Sequence, residues 1–150
     1  MMETNGVIRE DLERRMEELH REVEGIVERY WTTVLRMEGE RKDVKQQNKL
    51  RIRSIKEGNS VRAEWYVVTW VGKGKNGKPY DKKQLITKPA RSFGYTLSKL
   101  LKYAHEWEKP IVEETEAALV GIRQEAYHLT RALLSVGFAQ QALLKRSEKA

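Results

Sequence analysis

Cysteine is absent from the 150 residues. That excludes a disulfide framework, a zinc ribbon, an iron–sulfur cluster and a thiol nucleophile, and it makes a reducing cytoplasm the default compartment. Long apolar runs are missing as well. No window approaches the roughly 20 uncharged apolar residues that a membrane-spanning helix needs. The start, MMETNGVIREDLERR, carries no apolar stretch behind a basic one, so neither a membrane span nor a signal peptide is expected. Histidine occurs three times. Glu17-x-x-His20 and Glu125-x-x-His128 place a carboxylate and an imidazole one helical turn apart, as in di-iron bundles, but such a site needs two further inward glutamates from other helices. Glu17 and His20 fall off their helix's apolar seam, His105 stands alone, and no metal site is expected.

Catalytic signatures are lacking too. There is no Gly-x-Ser-x-Gly elbow, and the acidic residues fall largely on helix surfaces. Gly72-x-x-x-x-Gly77-Lys78 matches most of a phosphate-binding loop, yet Pro79 stands where a magnesium-binding Ser or Thr belongs, and no helix follows. The expectation is a protein that is not an enzyme and holds no cofactor.

What the chain does have is positive charge in one place. Its formal net charge is +7. Residues 1–38 carry six Lys/Arg against ten Asp/Glu, residues 39–104 seventeen against five, and residues 105–150 six against seven. So uneven a distribution makes a local field that attracts polyanions, nucleic acid first and an anionic membrane surface second.

The length suits a single domain, 1–150. Leu12, Met16, Leu19, Val23, Ile26, Tyr30 and Met37 step by fours and threes with Thr33 as the polar gap, which predicts a long helix over 7–38, N-capped by Asn5 and ended at Gly39. The period then changes to two. KLRIRSIK, the turn Glu57-Gly58-Asn59-Ser60, VRAEWYVVTWV, the turn dipeptide Asn76-Gly77 and YDKKQLITK predict a three-stranded antiparallel basic meander over 49–88. In the middle strand Val61, Ala63, Trp65, Val67, Thr69 and Val71 share one face, while Arg62, Glu64, Tyr66, Val68 and Trp70 share the other. Trp65 is assigned to the core. A short helix is expected over 96–108, capped by Thr96, with Leu97, Leu100, Leu101, Ala104 and Trp107 on one face.

Lys109-Pro110 then opens a second long helix, 110–145, whose seam runs through Ile111, Thr115, Ala118, Ile122, Leu129, Ala132, Val136, Ala139 and Leu143, with bends conceivable at Gly121 or Gly137. Glu125 sits on that seam and calls for an Arg or His from a partner helix. The fold class is therefore α+β: the meander, one short helix and two long helices that pack together or dimerise. A homodimer would use the Leu12–Met37 and Ile111–Leu143 helices.

The candidate DNA-binding residues are Arg51, Arg53, Arg62, Lys82, Lys83, Lys88 and Arg91, with Lys73, Lys75 and Lys78 on the glycine-rich hairpin. Tyr66, Trp70 and Gln84 are candidates for base stacking or base edges, although an aromatic residue in a strand also serves to cement a sheet. The strands could lie in the major groove, or the loop could clamp phosphates while a helix reads the bases.

The order of blocks carries a resemblance. A long acidic helix is followed by LRIR and then by Ala63-Glu64-Trp65-Tyr66. A Gly/Lys/Asn hairpin comes next, then Lys88-Pro89-Ala90-Arg91-Ser92-Phe93-Gly94-Tyr95, and finally Leu97–Leu101 leads to Ala104-His105-Glu106-Trp107-Glu108. Together these resemble MobI, the auxiliary mobilisation proteins of integrative conjugative elements and conjugative plasmids, over about residues 10–110. The resemblance implies a bacterial DNA-binding accessory factor at an origin of transfer, one that helps a relaxase and its partners assemble and has no catalytic residues of its own. More faintly, the strand order resembles the arm-binding domains of phage integrases, but no recombinase domain follows. The helix–strands–helix order resembles double-stranded RNA-binding domains, whose basic helix start is replaced here by Thr96-Leu97-Ser98-Lys99. A different reading is a helical assembly protein of a phage or mobile element whose basic sheet is merely solvated.

Overall fold

The computed structural model describes residues 3–41, 47–73 and 79–149, of which 70–73 and 79–81 are described by backbone alone. The order is α1 (Thr4–Gly39), β1 (Leu50–Glu57), β2 (Ser60–Lys73), β3 (Pro79–Leu85), α2 (Leu97–Leu101) and α3 (Lys109–Lys149). The α+β architecture is thus as expected.

In α1 the expected seam is buried at Met16, Leu19, Val23 and Tyr30, and Val34 takes the last place. The helix starts earlier than its capping signal suggested. Glu3, not Asn5, holds the N-cap position and makes no side-chain cap. Tertiary contact supports this first turn instead, since Gln140 donates to Glu3 Oε1 at 3.4 Å and accepts from Arg9 at 3.2 Å.

The seam of α3 differs by one position on one of its two columns. Thr115 is buried, and Ile122, Leu129 and Val136 face inward as expected, but the other column is Val112, Leu119, Ala126 and Leu133. Ala118 and Ala139 are exposed and Ala132 is half-buried. Burying leucines at 119 and 133 removes far more apolar surface from water than burying alanines one position earlier, so packing selects the leucine side. The helix runs unbroken through Gly121 and Gly137.

The two long helices pair within the chain and run antiparallel. Arg9 meets Gln140, Arg15 meets Glu125 and Arg29 meets Glu114, rising along α1 as they fall along α3. Glu125 finds the basic partner that its seam position called for. Arg15 grips it through two hydrogen bonds of 2.6 and 3.0 Å, and this contact holds the Glu125 carboxyl below the usual carboxylate range. Both side chains are about 40% exposed, so the pair sets helix register more than stability.

The sheet has the order β1-β2-β3, all antiparallel. Glu57 pairs with Ser60, leaving Gly58-Asn59 as a two-residue turn in which Gly58 alone has positive φ, +59°, the pattern of a type II′ hairpin. β3 ends at Leu85 rather than at Lys88. Ile86 N still donates to Trp65 O at 3.0 Å, but the chain then turns toward Pro89, whose ring restricts the residue before it. The short helix is also briefer than expected. It spans Leu97–Leu101, after which Tyr103 N and Ala104 N bond three residues back, at 3.0 and 3.1 Å, and tighten the chain into turns. Thr96 occupies the N-cap position without a side-chain bond.

Alternate residues of β2 are buried, Val61, Ala63, Trp65 and Val67, whereas Arg62, Glu64 and Tyr66 are not. The helices therefore cover one face. Trp65, fully buried, meets the ring of Tyr30 edge-on at 5.2 Å, and Leu50, Ile52, Leu19 and Leu119 belong to the same core.

Tyr30 also closes a buried polar cluster. Its hydroxyl donates to Leu50 O at 2.6 Å, and Asn48 Nδ2 donates to Leu50 O at 2.8 Å and to Glu108 Oε2 at 2.7 Å. Glu108 is fully buried, and desolvation raises its carboxyl above the ordinary range, while Asn48 Oδ1 and Glu108 Oε1 have no hydrogen-bond partner among the described residues. Because the folded state holds this proton longer than the unfolded state, stability falls as pH rises from the ordinary carboxylate range through the folded value. Glu108→Gln removes that dependence. Urea unfolding midpoints should be higher for the variant at neutral pH and should converge with the parent below the ordinary carboxylate range; a variant less stable than the parent at both would refute this account.

Candidate nucleic-acid interface

The outer face of the sheet, away from the helices, is built by register. Arg51 pairs with Tyr66, Arg53 with Glu64, Tyr66 with Leu85 and Val68 with Lys83, so Arg51, Arg53, Tyr66 and Lys83 gather on that face, with Val68 buried among them. The Arg53 guanidinium lies 5.7 Å and the Lys83 ammonium 5.9 Å from the centre of the Tyr66 ring. Tyr66 is thus framed by two cations.

Arg51 is held differently. Its guanidinium sits 5.3 Å from the ring centre of Trp31 in α1, and Trp31 Nε1 donates to Ile52 O at 3.1 Å, satisfying a carbonyl on the exposed edge of β1. A guanidinium already stacked on a ring loses less side-chain freedom when it meets a phosphate. Trp31 lies off the seam of α1, and its role had no signal in the helical period.

The other candidates are dispersed. Arg62 shares the outer face but pairs with Glu57 at 2.5 Å, and Arg53 also reaches Glu64 at 3.4 Å. Lys82 and Gln84 pair with Thr69 and Val67, which puts them on the opposite face from Tyr66, both exposed. Arg91 is exposed beyond β3. Lys88 is half-buried and committed to the chain itself. Its ammonium donates to Ser92 O and, at 3.2 Å, to Pro89 O, which staples the turn after β3. Lys73 and Trp70 are placed in β2 by backbone alone, and Lys75 and Lys78 lie outside the described residues.

Beneath the sheet lies a network that periodicity did not reveal. Glu116 and Arg123, seven apart on α3, are buried together at 2.8 Å. Glu116 accepts from Trp65 Nε1 at 2.9 Å and from Tyr95 N at 2.7 Å; Arg123 donates to Phe93 O at 3.0 Å and Ala63 O at 3.2 Å. The pair therefore ties α3, β2 and the segment before α2 into one unit. Gly94 allows the close approach, since a Cβ there would come within 3.0 Å of Val120 Cγ2 and 3.3 Å of Glu116 Oε2. Burial pushes the Tyr95 hydroxyl up, and its ring carries the Arg123 guanidinium at 5.0 Å. Three of the blocks that carried the family resemblance, Ala63-Glu64-Trp65-Tyr66, Phe93-Gly94-Tyr95 and Trp107-Glu108, thus surround this network or the Asn48 cluster.

The family described as MobI protein matches residues 19–137, from the second half of α1 through most of α3. The chain belongs to the MobI family. MobI membership associates it with conjugative mobilisation, and the match takes in α3, where no sequence block had carried the resemblance. No curated protein and no solved structure matches the MobI chain. No described helix is long and apolar enough to cross a membrane.

Proposed function

We propose that this MobI chain is a non-enzymatic DNA-binding factor of conjugative transfer that lays the outer face of its sheet on duplex DNA at an origin of transfer and helps recruit the relaxase machinery. One observation carries the reading: Arg51, Arg53 and Lys83 are assembled around Tyr66 and, at the edge where α1 crosses β1, Trp31, on the sheet face opposite the helical core. Guanidinium groups on a strand pair suit phosphates flanking a groove, and the major groove admits a two-stranded ribbon. Lys73, Lys75 and Lys78 of the hairpin would extend the contact along the duplex.

A second reading, an assembly protein working through its long helices, draws on the exposed side chains of Tyr127, Leu134 and Phe138 on α3. Changing Lys73, Lys75 and Lys78 to Glu separates the two, because it should abolish DNA binding in the first case and leave partner binding intact in the second. The principal experiment is fluorescence anisotropy of labelled duplexes tiled across the DNA flanking the gene, with random-sequence competitor, at two salt concentrations. Tight, competitor-resistant binding to one tile that weakens with salt is expected. Equal weak binding to every tile, or none, would end this reading.

A further inference from the structure

Between the Tyr127 face of α3 and the chain that leaves β3 lies an open cleft of about 900 Å³. Its floor includes Ala63, Ile86 and Ala126, all buried, and its walls carry Phe93, Tyr127 and Leu134, with Leu85 across the opening. The apolar surface is unusually open. Leu85 is 52% exposed, Leu134 59% and Phe138, one turn beyond Leu134, 66%. Tyr127, Leu134 and Phe138 are spaced by seven and four, so they form one continuous stripe on α3 that enters the cleft.

The rim is cationic. Lys88, Arg91 and Arg131 line it, and none of them has a carboxylate within ion-pair distance among the described residues. Arg131 donates to Tyr127 OH at 2.9 Å and lies over that ring, which holds the charge beside the stripe. Glu64, an acidic residue of the lining, is already engaged by Arg53.

We infer that this cleft docks an acidic segment of a partner protein, an amphipathic helix that inserts apolar side chains between Leu85 and Leu134 while its carboxylates meet Arg91 and Arg131. Charge complementarity selects this occupant. A second copy using the same face would bring these cations against themselves, and a duplex, convex and polyanionic, would leave the apolar floor unsatisfied. The inference rests on the recruiting half of the proposed function and not on its DNA-binding half.

The test uses the full chain and a labelled helical peptide with leucine at i, i+3, i+4 and i+7 and glutamate elsewhere. Two control peptides replace glutamate with lysine or leucine with alanine. The glutamate–leucine peptide should bind at least about tenfold more tightly than either control. Leu134→Glu and Arg131→Glu should each weaken it about tenfold or more, with circular dichroism unchanged because both side chains are on the surface. Equal binding by the lysine peptide, or an undiminished affinity of Leu134→Glu, would overturn the proposal. So would a concentration-dependent dimer, or binding to phosphatidylglycerol vesicles tighter than to the peptide, if Leu134→Glu abolished it. The same variants are titrated with the tiled duplexes, where unchanged affinity is expected. Loss of DNA binding in Leu134→Glu would assign the cleft to nucleic acid and end the proposal, whereas peptide binding without any DNA binding would leave it standing and refute the DNA reading alone.

Discussion

Glu116→Ala will cost the protein about 3–5 kcal/mol of unfolding free energy, the penalty expected when one partner of a buried ion pair is removed and the other is left uncompensated. The magnitude follows from what the carboxylate holds. Its side chain is 6% exposed and that of Arg123 8%, and its loss orphans the Trp65 indole N–H and the Tyr95 amide as well as the guanidinium. Glu116→Gln keeps one acceptor and should lose less, and Arg123→Met with Glu116→Leu, which removes both charges, should recover part of the loss. Urea unfolding followed by tryptophan fluorescence reads all three, since Trp65 reports directly on the pair. A Glu116→Ala variant within about 1 kcal/mol of the parent, the scale of an ordinary hydrogen bond, would show that the network does not hold the layers together.

The second large effect concerns salt. Replacing Arg51, Arg53 and Lys83 together with alanine should lower the slope of log affinity against log salt by about three, near 0.9 for each phosphate that is no longer neutralised. The weakening should be nearly uniform across DNA sequences, because interactions with phosphate carry register and not base identity. Lys99 and Lys102, exposed on and just after α2 and away from the sheet, supply the control, and their replacement should leave the slope unchanged. An unaltered slope in the triple variant would remove the outer face from consideration.

How far the sequence could be read depended on the range of the interactions involved. The meander was legible because strand alternation and turn chemistry are local. Gly58-Asn59 and the two faces of β2 follow from residues a few positions apart. The heptad of α1 was legible for the same reason. The second column of α3 was not, because alanine and leucine stand side by side at 118 and 119, steps of three and four admit either, and the choice falls to the area buried when the helix packs. Asn48, just ahead of β1, carries no local signal, yet it is 5% exposed and bonds to Glu108, sixty residues away. Within the candidate interface, the charge excess marked the segment that carries these cations, but it could not separate Arg51, Arg53 and Lys83 from Lys88, which is spent on its own turn. Nor could composition connect Trp31 with Arg51, since that contact depends on where α1 crosses the edge of β1.

The pairing of α1 with α3 has a consequence for how the molecule is made. Arg9 and Gln140 stand 131 residues apart, so α1, made well before α3, waits for it before its apolar side is fully covered. Contacts of such long sequence separation slow folding, because a large loop must close before they can form. The basic strands emerge in between, and their inner face of Val61, Ala63, Trp65 and Val67 has no complete cover until Leu119 and Leu133 arrive. Synthesis therefore passes through a stage in which an apolar sheet face and an unmatched helix are both exposed, and the chain's vulnerability to aggregation or proteolysis is concentrated in that interval.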